Sequence, residues 1–130
     1  MLFLALTIYA TPYAIDGDTI AIESKRVRLV QINTPEVGEC YHEQAKLFTK
    51  RKLESGQPIK LEKDSELDNK DQYGRALRYV FIGKTNLNLE LVRQGYAKPM
   101  FFDNKRGKYA KTIIKYARQA KANRLGLWNC

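Results

Sequence analysis

Histidine occurs once in these 130 residues, as His42, and that scarcity removes whole classes of chemistry. A catalytic triad needs a histidine base and a His-rich zinc site needs several, so His42 reads as a surface or helix-start residue. Cysteine is nearly as scarce. Cys40 and Cys130 stand too far apart for a zinc knuckle or a thioredoxin-type pair. Two readings remain: unrelated buried thiols, or one disulfide tying the C-terminus to the loop around residue 40, which implies an oxidising compartment or a thermophilic source. We favour the disulfide. Long apolar runs are lacking as well: residues 2–10 are almost wholly apolar, but a membrane-spanning helix takes about 20 such residues. Residues 1–8 are expected to be an apolar N-terminal segment, residual signal or anchor, ahead of one domain over residues 9–130. Internal repeats, linkers and low-complexity tracts are absent. Acid is in short supply too, with 14 Asp and Glu against 23 Lys and Arg. The net +9 favours polyanionic partners, nucleic acid first and anionic membrane second. With 44% hydrophobic residues the chain has material for a real core, which excludes a disordered protein.

The rest of the chain is organised around Asp16-Gly17-Asp18-Thr19. Asp-Gly between β-prone segments signals a tight hairpin in which Gly17 takes a positive φ. The period of two then places Asp18 on the face of Ile20 and Ile22, where a carboxylate needs a partner: an N–H, an arginine, a metal ion or a reacting phosphate. Strands are expected over residues 9–15, 18–23 and 27–32, with Ser24-Lys25-Arg26 as a turn. Arg28 stands in phase with Val30 and Ile32, a second charge among aliphatic residues. Asn33-Thr34-Pro35-Glu36 ends the third strand as a loop. A helix over 42–54 turns Ala45, Leu47, Phe48 and Leu53 inward. A fourth strand follows over 59–63, then a charged, exposed loop over 64–72 and a fifth strand over 77–82. The acids of that loop lack the glycine and terminal glutamate of an EF-hand. Asn86 caps a short helix that stops at Gly95. The last helix, over 107–125, has an apolar stripe of Tyr109, Ile113, Tyr116, Ala117 and Ala120. Its basic stripe of Lys108, Lys111, Lys115 and Arg118 reads as a solvated face.

Five short strands with three helices predict an α+β fold built on a small OB-type barrel, an architecture that often binds oligonucleotides. Two acids, Asp18 and Glu36, and two arginines, Arg28 and Arg75, sit at strand ends of a basic chain without histidine-based nucleophile machinery. Both signs of charge in one place point to phosphate chemistry.

The motifs Ile15-Asp16-Gly17-Asp18-Thr19, Val27-Arg28-Leu29, Asn33-Thr34-Pro35-Glu36, Asp71-Gln72-Tyr73-Gly74-Arg75 and Leu91-Val92-Arg93-Gln94-Gly95 carry a resemblance. In order and approximate spacing they resemble the staphylococcal nuclease (thermonuclease) family over residues 9–128. The resemblance implies a Ca²⁺-dependent phosphodiesterase, expected as a monomer, whose partners are single-stranded DNA and RNA, cut to 3′-phosphate and 5′-hydroxyl ends. It assigns Asp18, Asn33 and Thr34 to the metal, Glu36 to proton removal from the attacking water, and Arg28 and Arg75 to the phosphate oxygens. Lys70, Asp71, Tyr73 and Phe101 are assigned to substrate binding. Asn33 stands where well-known members carry a second metal-binding aspartate, Gln72 replaces a phosphate-contacting lysine, and Phe101 and Asp103 replace tyrosines near the base. A secreted or cell-surface location is expected. The rival readings are a non-catalytic module that binds nucleic acid or protein, and a basic protein docking on anionic membrane.

Overall fold

A computed structural model describes residues 11–130, so the expected apolar segment and the first part of the expected strand at 9–15 lie outside the described residues. Alternating apolar and polar residues build a sheet from β1 (Tyr13–Ala14), β2 (Thr19–Ile22), β3 (Lys25–Leu29), β5 (Ile59–Glu62) and β6 (Ala76–Ile82). Its order is β1-β2-β3-β6-β5, antiparallel except where β3 lies parallel to β6. This is the expected OB-type arrangement. Among the described residues the ladder ends at β1 and β5. Two two-residue strands went unforeseen: β7 (Thr85–Asn86), which pairs with β6, and β8 (Lys98–Pro99), which pairs with β4 (Ile32–Asn33) at the end of the expected third strand.

Helices α1 (His42–Leu53) and α2 (Leu87–Arg93) pack against this sheet and α3 (Ala110–Ala122) packs on α2, with single 3₁₀ turns at Phe102–Asn104 and Gly126–Asn129. Ile20, Val27 and Leu29 of the sheet meet Leu87, Leu91, Val92 and Ile113 of the helices in one core. The Asn86 side chain caps α2 by accepting from the Leu89 N–H at 3.2 Å. Helix α3 is three residues shorter at each end than expected, and its apolar stripe of Ala110, Ile113, Ala117 and Ala120 is buried. The Cys40–Cys130 disulfide is formed, with Cα atoms 6.0 Å apart, and joins the loop before α1 to the last residue.

Several expectations are corrected. Gly17 does not have a positive φ. Its role is spatial: an added Cβ would lie 2.9 Å from Thr34 Cγ2 and 3.0 Å from Ala45 Cβ. The β2–β3 turn is made by Glu23 and Ser24, both at positive φ, so Lys25 and Arg26 already belong to β3. The third strand is not continuous. Gln31, at φ 71°, kinks the chain between β3 and β4, so Val27 and Leu29 face the core while Arg28 points away from them, and Ile32 returns to the core. His42 does start α1, but it is buried at 5% exposure, because its Nδ1 lies 2.8 Å from the Pro35 carbonyl. Leu47 is exposed, while Thr49 is buried and donates to the Gly17 carbonyl at 2.6 Å. Asp64, expected in an exposed loop, is buried because it accepts from the Tyr79 hydroxyl (2.7 Å), Lys108 N–H (2.9 Å) and Glu66 N–H (3.0 Å).

Candidate active site

The site grows from four segments held by backbone geometry. The 15–18 loop closes through Ile15 and Asp16 N–H groups that both donate to the Thr19 carbonyl, at 2.9 and 3.1 Å. Helix α1 secures it from behind through Thr49 and the close approach of Ala45 to Gly17. Asp18, 6% exposed, is thereby aimed at the 33–36 loop, where its Oδ2 accepts from the Thr34 N–H at 2.9 Å.

Arg28 is the hub. The kink at Gln31 swings two carbonyls towards its Nη1, which donates to Leu29 O at 2.6 Å and Ile32 O at 3.0 Å. Its Nη2 donates to Asn33 Oδ1 at 2.9 Å and lies 3.4 Å from Asp18 Oδ2. Burial pulls the Arg28 pKa below its ordinary value; Asp18 opposes that and Arg75 adds to it, while Glu36 and Asp71 oppose it. All four charges therefore act on this one guanidinium, which keeps its proton at any working pH.

Asp71-Gln72-Tyr73-Gly74-Arg75 explains its own spacing. Asp71 Oδ1 accepts from the N–H groups of Tyr73 and Arg75, each at 3.0 Å, and Gly74 supplies the φ of 78° that lets the chain fold back. Asp71 Oδ2 then takes the Arg75 Nε at 2.7 Å. Burial acts to raise the Asp71 carboxyl, but the Arg75 N–H, the Arg75 guanidinium and the Tyr73 N–H outweigh it and hold the group below the usual carboxylate range. Both Asp71 oxygens are thus occupied within the turn, and the residue positions Arg75. Arg75 Nη1 reaches Thr19 Oγ1 at 3.3 Å, and Thr19 lies opposite Arg28 in the β2–β3 ladder. Thr19, the last residue of the Asp16-Gly17-Asp18-Thr19 stretch, thus stands between the two arginines, a role its sequence did not reveal.

A groove of about 350 Å³ opens beside the pair, lined among others by Arg28, Arg75, Lys70, Asp71, Tyr73 and Phe102. Tyr73 is 75% exposed, with the Arg75 guanidinium 5.4 Å from its ring centre. Phe101 is not in this lining; it packs against the core, with Arg106 over its ring, and the exposed Phe102 takes the groove position. Asp18, Asn33 and Thr34 also lie outside the groove lining, reached from it through Arg28. Glu36 is exposed on its loop, and its N–H donates to Glu39 Oε1 at 2.6 Å. Sequence reasoning missed Gln31, which holds the 105–107 segment by donating to Lys105 O at 3.0 Å and accepting from Gly107 N–H at 2.8 Å. Only its place between two apolar residues could have drawn attention to it.

Among the described residues, no three His, Cys, Asp or Glu side chains cluster closely enough to hold a metal ion. The implied ligands are oxygen donors of another kind: one carboxylate at Asp18, one amide at Asn33 and one main-chain carbonyl at Thr34. Such hard donors suit Ca²⁺ in kind, with a single fixed negative charge among them. Asn33 Oδ1 is engaged by Arg28, so the amide would share its oxygen or release that hydrogen bond.

An OB-type fold presenting paired arginines over a groove, with carboxylates on either side, defines an enzyme of the nuclease class. The chain belongs to the staphylococcal nuclease homologue family, whose model matches residues 26–130. It is 35% identical over 130 aligned residues to a thermonuclease of Staphylococcus intermedius, covering 92% of this chain and 75% of that one. A thermonuclease of Staphylococcus hyicus is 33% identical, covering 93% and 75%. Endonuclease YncB of Bacillus subtilis is 31% identical, covering 89% of this chain and 59% of its own length.

Proposed function

We propose that this protein is a Ca²⁺-dependent endonuclease that hydrolyses single-stranded DNA and RNA to 3′-phosphate and 5′-hydroxyl ends. The observation that carries this reading is the pair of arginines at the wall of an open groove, Arg28 held beside Asp18 and Asn33 and Arg75 held by Asp71 and Thr19. Arg28, oriented by two carbonyls, Asn33 and Asp18, and Arg75, oriented by Asp71 and Thr19, offer the N–H donors these partners leave open, or exchange, to the non-bridging oxygens of one phosphate. Their geometry is set before substrate arrives, so charge building on phosphorus in the transition state meets fixed donors. Glu36, exposed on the loop that follows Asn33 and Thr34, takes the proton from the attacking water. Asp18, with the oxygens of Asn33 and Thr34, would hold Ca²⁺, which when bound adds positive charge at the same phosphate. Lys70 and Tyr73 line the path of the strand, as a cation for backbone phosphate and a ring for a base. The disulfide favours a secreted or cell-surface location, and we assign the active form as a monomer because one chain supplies every group named.

The test is cleavage of a single-stranded oligonucleotide with Ca²⁺, with Mg²⁺ and with chelator, alongside Glu36→Ala. Calcium-dependent cleavage to 3′-phosphate ends that drops at least a hundredfold in Glu36→Ala is expected. Salt-dependent binding without cleavage under any metal would instead mark a non-catalytic binding module.

A further inference from the structure

Helix α3 carries charge that the proposed site does not use. Residues 104–130 hold eight Lys and Arg and no Asp or Glu, so this segment accounts for nearly all of the net +9. Two of these cations are committed to carboxylates: Lys105 Nζ lies 3.5 Å from Asp68 Oδ1, and Lys108 pairs with Glu62. Lys111, Lys115 and Arg118 are exposed, and among the described residues no carboxylate lies within 4.0 Å of them. They follow one another at i, i+4 and i+7 on one face, a spacing at which like charges destabilise an isolated helix. A face that is merely solvated has no need of that arrangement. Helix α2 shows the contrast, since its Arg93 is paired with Glu90.

We infer that this face of α3 is a binding track for the phosphate backbone of a nucleic-acid strand beyond the cleavage site. The inference rests on the nuclease reading for what occupies the groove. Continuity with the groove supports it. Phe102 and Gln31 line the groove, and Gln31 holds Lys105 O and Gly107 N–H, so the chain leads from groove wall to the start of α3. The thirteen residues of α3 then extend the path by about 20 Å. The chemistry is of point cations spaced along a line, which suits backbone phosphates and carries no base preference. An anionic bilayer fits less well, because an interfacial helix needs an exposed apolar face and that of α3 is already buried by Ala110, Ile113, Ala117 and Ala120.

The test compares the wild-type chain with the triple variant Lys111→Gln, Lys115→Gln, Arg118→Gln, using a labelled 20-nucleotide single strand in chelator across a salt series. The variant should bind at least about tenfold more weakly, and its slope of log affinity against log salt should be shallower by about 2. In Ca²⁺, the ratio of kcat/KM for the 20-mer to that for a trinucleotide should fall in parallel. Lys111→Arg with Lys115→Arg should keep the wild-type slope, which separates charge from any loss of helix stability. Equal slope and affinity in the triple variant would overturn the track while leaving the nuclease reading intact. A wild-type chain that cuts neither substrate, yet loses slope in the variant, would sink the nuclease reading and support the track. Loss of binding to phosphatidylserine vesicles with oligonucleotide binding unchanged would overturn it in favour of a membrane surface.

Discussion

Arg28 shows how much of a site one side chain can hold. Four acceptors surround its fork, two of them carbonyls brought together only by the kink at Gln31. A lysine offers a point charge in place of that fork and leaves some of these acceptors unpaired, so Arg28→Lys should lower kcat by about 10²–10³ and also lower the thermal midpoint; steady-state kinetics and a melting curve on the same sample check both. Asn33 lies 2.9 Å from the same guanidinium and contributes no charge. Asn33→Asp places a second carboxylate beside Asp18, and a calcium titration should then show tighter binding. An unchanged titration would remove Asn33 from the metal ligands.

Among the elements, the 15–18 loop and α1 are built against each other. Gly17→Ala would push a methyl into Thr34 and Ala45, and overpacking of this kind costs about 1–3 kcal/mol. Urea unfolding should show that loss, together with weaker activity because Thr34 adjoins the site. On the opposite side, Asp64 joins the 64–66 turn, β6 and the approach to α3. Burial acts to raise its pKa, but the Lys108 N–H, the Tyr79 hydroxyl and the Glu66 N–H prevail, and the carboxyl is held below its ordinary value. A depressed carboxyl contributes stability that is fully present above the unfolded value of about 3.9 and is lost as pH falls through the folded value. Denaturation followed from pH 6 to pH 2 should therefore show a decline that is shallower in Asp64→Asn.

For the whole molecule, the disulfide closes a sequence separation of 90 residues and holds the C-terminus against the loop that leads from Glu36 into α1. Asn33, Thr34 and Pro35 share a cavity wall with Cys40 and Cys130, so the bond also steadies the site from behind. Constraint of the unfolded chain over such a loop contributes about 4 kcal/mol. Thermal unfolding with and without reductant should differ by roughly 10–15 °C.

Strand period, turn residues and caps are local, so the sequence by itself determined the five principal strands, the three helices and the Asn86 cap. Asp18, Arg28, Glu36 and Arg75 stood out as charged residues against an apolar pattern, and the fold brings Asp18, Arg28 and Arg75 near one another. Other features depend on groups distant in the chain. Asp64 and His42 are buried because partners at Lys108, Tyr79 and Pro35 come to meet them, and no window of sequence contains those meetings. Gly17 was legible as a turn residue, but its reason was not: the tertiary structure decided that it must be small, because a helix packs where its side chain would be. The same holds for the kink at Gln31, whose side chain spans to Lys105 and Gly107. Local propensity can be read residue by residue, whereas burial and polar pairing are settled only when the chain closes on itself.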